Sequence, residues 1–243
     1  MDKRHLYEMD NATPGSRKRY IRSMFDSITV SYDRVNRVLS LGIDTRWRKS
    51  LVRAAGPLKD RQALDICCGS GAVSALLHRE GARAAGLDFS RNMLKKGLEK
   101  GRLPGGAAAA DACAMPFGDA VFDAAFIAFG IRNIPDLAPF MDEALRVLKP
   151  GGKLAILELS RPQNKIAAFF HSLYLEKIVP RIGGMISGKK SAYDYLAGTI
   201  ATFIDPKTLQ KMLEEKKFAN CRVFPQTLGA TFVLVCEKTK EDE

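Results

Sequence analysis

The spacing of apolar positions divides the chain into three stretches. Over residues 17–55, apolar side chains recur at helical spacing, which predicts short helices. From about residue 62, short continuous apolar runs alternate with amphipathic segments, and this pattern favours a parallel sheet covered by helices on both faces. The predicted strands lie near 63–67, 83–88, 107–111, 121–128 and 153–159, and the predicted helices between them lie near 71–80, 91–100 and 136–148.

The third stretch breaks this alternation. Residues 163–203 predict helices that Gly183, Gly184 and Gly188 interrupt. A helix over 206–217 then precedes two runs, 219–225 and 229–237, that fit an antiparallel strand pair at the sheet edge. We therefore expect an α/β fold. Its predicted parts are a flexible N-terminus (1–16), a helical cap (17–60), a core (61–238) that contains a helical substrate lid (163–203), and a charged tail (239–243).

Composition narrows the class of protein. The 243 residues are 46% hydrophobic and 27% charged, which suits one large α/β domain with an added helical part. No apolar run approaches the roughly 20 residues of a membrane span, and no apolar signal segment follows the first residues. The five cysteines are scattered without metal-ligand spacing. We therefore expect no metal, and we interpret the cysteines as reduced and buried in a cytosolic protein.

The formal net charge of +11 indicates a partner or a location without naming it. Basic residues concentrate between Arg17 and Arg53 and again between Lys177 and Lys190. Nucleic acid, an anionic membrane surface and solubility alone remain open explanations. Neither basic stretch has the interleaved aromatic residues of an RNA-binding motif, which disfavours nucleic acid.

The most informative stretch is an apolar run containing Asp65 that ends in Gly69-Ser70-Gly71. It fits a strand, a tight turn and a helix start, because glycines let the backbone fold sharply and let a ligand approach it. Asp88 ends the next apolar run, 17 positions after Gly71, near the spacing expected of a ribose-binding acid. An ordinary strand-to-helix turn explains the glycines equally well, and Ala75 replaces the third glycine of a dinucleotide fingerprint. The turn alone predicts a nucleotide-like ligand.

Three further features complete a resemblance. They are Asp111-Ala112 at the end of the third predicted strand, the turn Lys149–Gly152 before the fifth, and the closing strand pair. With Asp65, the glycine turn and Asp88, they make the chain resemble a class I S-adenosylmethionine-dependent methyltransferase. The resemblance implies S-adenosylmethionine as the methyl donor. It also implies a Rossmann-like, seven-stranded sheet of order 3-2-1-4-5-7-6 whose last strand is antiparallel.

More narrowly, residues 19–238 resemble the C-methyltransferases of quinone biosynthesis. The segments that carry this resemblance are Met24–Ile28, Ser31–Asp33, Asn36, Leu41–Ile43, Trp47, Met115–Phe117, Phe122-Asp123, Phe129–Asn133, Leu157–Ser160 and Tyr193–Leu196. The resemblance implies methylation of demethylmenaquinol or of the matching ubiquinone precursor. The chain departs from the family at Ala72, where an acid is frequent, and at Ala128, where serine is frequent. We expect one or two polar contacts to the methyl donor to be lost or replaced there.

The resemblance also implies where the methyl donor binds. Asp88 is suited to accept both ribose hydroxyls, and its alternative role is to cap the next helix, for which Ser90 is also available. Asp111 is suited to bind the adenine amino group beside the small Ala112, and its alternative role is that of a turn residue.

The glycine turn is expected to receive the methionine part of the donor. Gly69, Ser70 and Gly71 let it lie against the backbone. Asp65 orients either that turn or the donor's ammonium group, or it is a buried acid paired with backbone N–H groups. Ala128 is expected to border the donor.

Methylating a ring carbon requires an electron-rich carbon beside a hydroxyl, aimed at the methyl group where water is excluded. Arg132 and Asn133 follow the fourth predicted strand, at the mouth of such a site. Arg132 could stabilise a developing phenolate or pair with an acid such as Asp136, and it is too basic to remove a proton. We expect catalytic roles for Arg132, Asn133, Asp33 and Tyr193. Tyr32 and Tyr195 are further candidates to hold the quinol, whereas His171 suits packing.

A polyprenyl tail requires an apolar groove. Residues 166–179 and the N-terminal helices could form it, although an ordinary core explains their apolar positions equally well. We expect a cytoplasmic protein that visits the inner face of an anionic membrane, binds no nucleic acid and is compatible with a homodimer. Two other functions remain open: an RNA methyltransferase, favoured by the charge, and a cofactor-binding module without catalysis, suggested by Ala72 and Ala128.

Overall fold

A seven-stranded sheet forms the centre of the computed structural model, which describes residues 13–240. Its strands are β1 (Gln62–Ile66), β2 (Arg83–Asp88), β3 (Ala107–Ala109), β4 (Phe122–Ala128), β5 (Leu148–Leu159), β6 (Phe218–Gln226) and β7 (Thr231–Lys238). Their order in the sheet is β3-β2-β1-β4-β5-β7-β6. Strands β1 to β5 are parallel, and β7 is antiparallel to both of its neighbours. The predicted fold and strand order are confirmed.

Ten α-helices surround this sheet within the described residues. They are α1 (Pro14–Ile28), α2 (Tyr32–Leu39), α3 (Asp44–Ala54), α4 (Ala72–Arg79), α5 (Arg91–Glu99), α6 (Leu137–Val147), α7 (Lys165–Leu173), α8 (Val179–Ser187), α9 (Lys190–Thr202) and α10 (Pro206–Glu215). One π-helical turn, Tyr174–Ile178, joins α7 to α8. Helix α1 begins inside the predicted flexible N-terminus; residues 1–12 of that segment, and 241–243 of the predicted tail, lie outside the described residues.

Both faces of the sheet are covered, as the continuously apolar strands predict. Leu64 of β1 lies in a buried cluster with Phe140 of α6. Its neighbour Ala63 lies in a second cluster with Leu51 of α3 and Leu77 of α4. Because successive strand residues point to opposite faces, β1 contributes to both clusters, and so do β2, β4, β5 and β7.

A third cluster joins two parts that the sequence separates by more than a hundred positions. Ile28 and Val35 come from helices α1 and α2, which together with α3 we call the cap. Leu175, Val179 and Ile200 come from the segment α7–α9, which we call the lid. The cap and the lid therefore bury each other's apolar side chains.

The lid is more regular than its glycines predict. Gly183 and Gly184 lie inside helix α8, and only Gly188 ends it, in a left-handed conformation. A Cβ atom at Gly183 would lie 2.3 Å from the ring of Tyr193 on α9. The expectation that Gly183 interrupts the helix was therefore wrong, because this glycine allows α8 and α9 to pack closely.

Two other expectations are corrected. Strand β5 begins at Leu148 rather than near residue 153, because Leu148 pairs with Phe122 and the predicted Lys-Pro-Gly-Gly turn forms an irregularity within the strand pairing. Cys221 and Cys236 are not reduced but form a disulfide between β6 and β7, with Cα atoms 4.1 Å apart. The disulfide could not be predicted from the sequence, because the two cysteines are 15 positions apart and only the pairing of β6 with β7 brings them together.

Candidate active site

Three adjoining cavities lie at the carboxyl ends of strands β1 to β4. The edge cavity, of about 350 Å³, is lined by Lys18, Phe89, Asp111, Ala112 and Ile134, among others. The apolar cavity, of about 360 Å³, lies between the cap, the lid and the loop after β4. The junction cavity, of about 40 Å³, lies between them. Asn133 lines all three cavities, so a group bound at either side meets the other near this amide.

The glycine turn forms the wall of the junction cavity after β1. Gly69 has a φ of +53°, and a Cβ atom added to it would meet open space. The main chain at Gly69 therefore leaves room for a ligand against the backbone, as the sequence predicts. Gly71 is closed in by Arg102 and Leu103, and Ser70 is buried.

Asp65 supports this turn from behind. Its Oδ2 accepts hydrogen bonds from the backbone N of Ser74, at 2.8 Å, and from the Ser74 Oγ, at 2.6 Å. Burial raises the pKa of Asp65 to about 7, although the hydrogen bonds from Ser74 act in the opposite direction. Of the alternatives left open, the geometry favours the buried acid that holds the start of helix α4.

Asp88 lies at the end of β2 and lines the junction cavity. Its two carboxylate oxygens accept hydrogen bonds from the backbone N–H groups of Gly69 and Ser90, both at 2.8 Å. Burial raises the pKa of Asp88 to about 6, while these hydrogen bonds lower it. Ser90 is the N-cap of α5, so Asp88 is not needed for that task. Each oxygen keeps a lone pair for a ligand hydroxyl.

Asp111 and Ala112 both line the edge cavity. The Asp111 Oδ1 accepts a hydrogen bond from the backbone N of Cys113 at 2.9 Å, and its Oδ2 lies 2.5 Å from the Lys18 Nζ. Burial raises the pKa of Asp111, but the Lys18 hydrogen bond and charge more than offset this effect and lower it. Asp111 is therefore an ionised acceptor at the cavity wall, and the salt bridge to helix α1 could not be predicted from spacing.

The cap contacts the loop after each of the first three strands. Asp33 accepts a hydrogen bond from Ser70 Oγ after β1, at 2.6 Å, and Asp26 accepts one from Ser90 Oγ after β2, at 2.6 Å. The Lys18–Asp111 pair makes the third contact, after β3. The cap thereby closes the carboxyl edge over β1–β3.

Asp33 does not take the place that we expected for it beside the quinol. Its carboxylate lies 2.6 Å from Lys100 Nζ and 3.0 Å from Arg102 Nη1, and it lines none of the three cavities. Burial raises the pKa of Asp33, but hydrogen bonds from Lys100 and Ser70 and nearby positive charges lower it to about 2. An ionised group this weakly basic, held by three cations that include Lys96 at 3.9 Å, is suited to fixing the cap rather than to accepting a proton.

Arg132 lines the apolar cavity and is held by Glu158, an acid buried at the end of β5. Its Nη1 lies 2.5 Å from Glu158 Oε1 and 3.1 Å from the carbonyl oxygen of Phe129. The partner is thus Glu158 and not Asp136, which caps helix α6. Burial raises the pKa of Glu158, and the positive charge of Arg132 opposes that rise. The Arg132 Nε is buried without a hydrogen-bond partner among the described residues.

Three tyrosines surround the apolar cavity near Asn133. Tyr32 lines both the apolar and the junction cavities, and burial raises its pKa. The Tyr195 hydroxyl donates to Asn133 Oδ1 at 3.1 Å. The buried Tyr193 hydroxyl makes no hydrogen bond of ordinary geometry to the described residues, and burial raises its pKa to about 12. These hydroxyls stay protonated at neutral pH and act as donors.

Comparison with known proteins identifies the family of this chain. A sequence model of the ubiE/COQ5 methyltransferase family matches residues 13–238. The chain belongs to this family. Demethylmenaquinone methyltransferase of Thermotoga maritima is 39% identical over 207 residues, covering 84% of this chain and 90% of the relative. The enzyme of that name from Staphylococcus aureus is 34% identical over 235 residues, covering 93% and 95% of the two chains.

Solved structures support the fold of the family member. Phosphoethanolamine N-methyltransferase 2 of Haemonchus contortus, in complex with S-adenosylhomocysteine, matches with a TM-score of 0.60 at 18% identity, over 79% of this chain and 52% of its own. A SAM-dependent methyltransferase of Aquifex aeolicus matches with a TM-score of 0.56 at 16% identity, over 79% and 89% of the two chains. The predicted methyltransferase family and its methyl donor, S-adenosylmethionine, are confirmed.

Several residues of this site were not assigned a role from the sequence. Glu158 could have been found from the sequence, because it is an acid inside an otherwise apolar strand. Cys67, after β1, lines both the junction and edge cavities. Arg48, also at the apolar cavity, lies over the Phe129 ring at 5.2 Å and pairs with Asp44. Within residues 13–240, no cluster of metal-ligating side chains occurs, and no helix is both long and apolar enough to cross a bilayer.

Proposed function

We propose that this chain is an S-adenosylmethionine-dependent C-methyltransferase that converts demethylmenaquinol to menaquinol. The observation that carries the proposal is the junction cavity, which connects a polar cavity at the sheet edge with an apolar cavity of similar volume. A nucleoside suits the first and a fused aromatic ring with the start of a prenyl tail suits the second. The curated relatives named for this reaction support the choice of substrate.

The polar side of the site is proposed to hold the methyl donor. Asp88 accepts the ribose hydroxyls with the lone pairs that Gly69 and Ser90 leave available. Asp111 accepts from the adenine amino group, and Ala112 leaves room for the ring. Gly69 and Ala128 border the sulfonium end, since both line the junction cavity. S-adenosylmethionine supplies an electrophilic methyl group there.

Asp65, Ser70 and Gly71 act on the donor only through the shape of the turn in this proposal. All three lie outside the walls of the three cavities, and Ser70 contacts the cap residue Asp33. They are therefore positioning residues, a narrower role than we expected for Ser70 and Gly71.

The apolar side is proposed to aim the quinol. Its reacting carbon lies beside a hydroxyl, and partial loss of the hydroxyl proton makes that carbon more nucleophilic. Arg132, fixed by Glu158, stabilises the developing phenolate from the cavity wall. Tyr32 and Asn133 donate hydrogen bonds where the two cavities meet, with the Asn133 amide oriented by Tyr195. The carbon forms a bond to the methyl group as the methyl–sulfur bond breaks and S-adenosylhomocysteine leaves. The ring carbon then loses its own proton, which is released to solvent, and the aromatic ring is restored.

Tyr193 is proposed to form part of the wall that excludes water. Its ring packs on Gly183 and its hydroxyl is buried, which makes it a member of the lid's packing as well as of the cavity lining. Phe25 and Phe129 close the opposite side, because both border the junction cavity. A dry site keeps the methyl group from water and strengthens the Arg132 charge.

The substrate and location complete the proposal. The acceptor is a polyprenylated quinol, met by a cytoplasmic protein in transient contact with an anionic membrane; no nucleic acid takes part. The ubiquinone precursor is the alternative acceptor, because its ring also presents a carbon beside a hydroxyl. A homodimer stays a prediction that sedimentation of the purified protein would check.

The test is methyl transfer from labelled S-adenosylmethionine to reduced demethylmenaquinone, beside the demethylated ubiquinone precursor and bulk RNA. We expect label in the naphthoquinol, with a lower rate on the ubiquinone precursor and none in RNA. Label in RNA alone would contradict the proposal. Absence of label in both quinols, with the donor bound, would favour the cofactor-binding module without catalysis.

A further inference from the structure

Helix α7 presents its apolar side to solvent. Ile166, Phe169, Phe170 and Leu173 recur at the spacing of one helical face, and they are between 45% and 70% exposed. The small or polar side chains of the same helix face inward instead: Ala167, Ala168, His171 and Ser172 are half-buried. A helix that served only the core would have the reverse orientation, so its outer face is adapted to a partner.

Two turns next to α7 also expose leucines. Leu41, in the turn between α2 and α3, is 86% exposed, and Leu228, in the turn before β7, is 84% exposed. Both have a left-handed backbone, with φ of 52° and 56°, which is uncommon for residues other than glycine. Residues with strained backbone are found frequently at functional sites, so these two exposed leucines favour a function for this surface.

These three segments are neighbours around the apolar cavity. Trp47 of the cap donates a hydrogen bond to Thr227 beside Leu228, at 2.9 Å. The Tyr174 hydroxyl, directly after α7, donates to the carbonyl oxygen of Leu39, beside the Leu41 turn. Leu41, Thr227 and Tyr174 all line the apolar cavity. We call the exposed set Leu41, Ile166, Phe169, Phe170, Leu173 and Leu228 the apolar face.

The chain around the apolar face is strongly basic. Residues 161–190 contain one acid, Glu176, and six basic side chains, which are Arg161, Lys165, Lys177, Arg181, Lys189 and Lys190. All six are exposed, and within residues 13–240 only Lys190 forms an ion pair, with Asp194. Exposed apolar side chains in a segment rich in exposed cations match a surface that is apolar below and negatively charged above.

We propose that the apolar face docks on an anionic phospholipid bilayer and that the quinol enters the apolar cavity from that side. Phe169, Phe170, Leu41 and Leu228 reach below the headgroups while Lys165 and its basic neighbours contact the phosphates. A second copy of this chain is the less suitable occupant, because it would bring the same cations together. Docking itself is independent of the reaction, whereas the entry route rests on the function proposed above.

The test is co-sedimentation with vesicles of phosphatidylcholine, with and without about one third phosphatidylglycerol. We expect the native chain to bind the anionic vesicles and to lose at least about tenfold in binding with F169S/F170S. The matched control is L98S/V121S, which replaces two exposed apolar residues outside the apolar face and leaves binding within about twofold. Equal binding by the two double variants, or binding indifferent to phosphatidylglycerol, would overturn the proposal.

Activity on two acceptors separates this proposal from the proposed function. F169S/F170S should retain native activity on a short-tailed quinol in solution and lose it on the long-tailed quinol in vesicles. Loss on both acceptors with normal folding by circular dichroism would overturn the docking role, since the variant would then damage the site. If the native chain methylates neither quinol but F169S/F170S still abolishes vesicle binding, docking stands and the function fails. A change from dimer to monomer in sedimentation, without loss of vesicle binding, would assign the face to a second copy.

Discussion

The two sides of the site are built in different ways. On the edge side, Asp88 ends strand β2 and Asp111 lies in the loop after β3, and backbone N–H groups donate hydrogen bonds to both carboxylates. On the apolar side, most of the wall comes from cap and lid helices that do not belong to the sheet, and the loop after β4 supplies Arg132. The edge side is therefore as rigid as the sheet, whereas the apolar side depends on the packing of the cap against the lid.

This difference explains how one chain can exchange two unlike ligands. The cap closes the edge through Lys18, Asp26 and Asp33, and it also closes the apolar cavity through Phe25 and Tyr32. Movement of a single element would open both sides. A substitution on one side of the site should impair the ligand of that side and leave the other ligand largely unaffected. The expected effects decrease from Glu158→Gln to Ala128→Ser.

Glu158→Gln should have the largest effect, on the apolar side. Removing the charge leaves Arg132 buried without its counter-ion, which lowers the free energy of unfolding by about 3 kcal/mol. Methyl transfer should fall by roughly 100-fold while donor binding is retained. Denaturant unfolding, kinetics and calorimetry measure these three quantities. Glu237→Gln on β7 is the control, and equal losses in the two variants would refute the pairing.

Asp88→Asn should damage only the edge side. Loss of two charge-assisted acceptors weakens S-adenosylmethionine binding by about 3 kcal/mol, or roughly 100-fold, with little change in quinol binding. Calorimetric titration of each ligand measures this, with Asp60→Asn as the control. Unchanged donor affinity would show that Asp88 does not bind S-adenosylmethionine.

The pH dependence of folding stability and of donor binding provides a second test of the role of Asp88. Burial places its pKa at about 6, above the unfolded value, so the ionised carboxylate costs folding free energy at neutral pH. Stability from this group is therefore greatest below the unfolded pKa and is lost as pH rises through about 6. Donor binding requires the ionised form and should move oppositely, weakening below about pH 6. Affinities measured between pH 5 and 8 that show no such fall would contradict the assignment.

Asp33→Asn should loosen the cap. Because the pKa of Asp33 is about 2, its ionised form stabilises the fold above the unfolded pKa, and this stability is lost as pH falls through about 2. At pH 7 the substitution should lower the free energy of unfolding by about 2 kcal/mol, and the difference should disappear near pH 2. Urea unfolding across pH measures this. Asp142→Asn, at a more exposed ion pair, should cost less.

Ala128→Ser should have the smallest effect, and a favourable one. A hydroxyl at the junction cavity adds one hydrogen bond near the donor, worth about 0.6 kcal/mol or roughly threefold in affinity. Ala201→Ser on the exposed side of α9 is the control. Weaker donor binding with Ala128→Ser would show that the smaller alanine is required there.

The sheet side of the site was largely predictable from the sequence. The apolar run that contains Asp65 and the runs that end at Asp88 and Asp111 indicated where parallel strands stop, and parallel strands bring those ends to one edge. The donor roles of these acids stay predictions. Glu158 was overlooked because a lone acid in an apolar run does not reveal its partner, which a different loop supplies.

The cap and lid were less predictable for a physical reason. Amphipathic spacing identifies helices but not which apolar faces pack together, so it gave neither the shared cluster nor the outward face of α7. Asp33 illustrates the limit, because its cationic partners Lys100 and Arg102 lie about seventy positions away in the chain. Gly183 illustrates it as well, since its close contact with Tyr193 appears only when α8 and α9 are packed.

The central claim is that methyl transfer occurs at the junction cavity, between ligands held on its two sides. The most direct test is a crystal structure with S-adenosylhomocysteine and a short-tailed demethylmenaquinol. We predict the thioether sulfur beside Gly69 and Ala128, and the ring carbon on the Tyr32 side, with Asn133 in contact with both ligands. A quinol ring bound outside the apolar cavity, or separated from the sulfur by an ordered Asn133 or Phe129, would contradict the account.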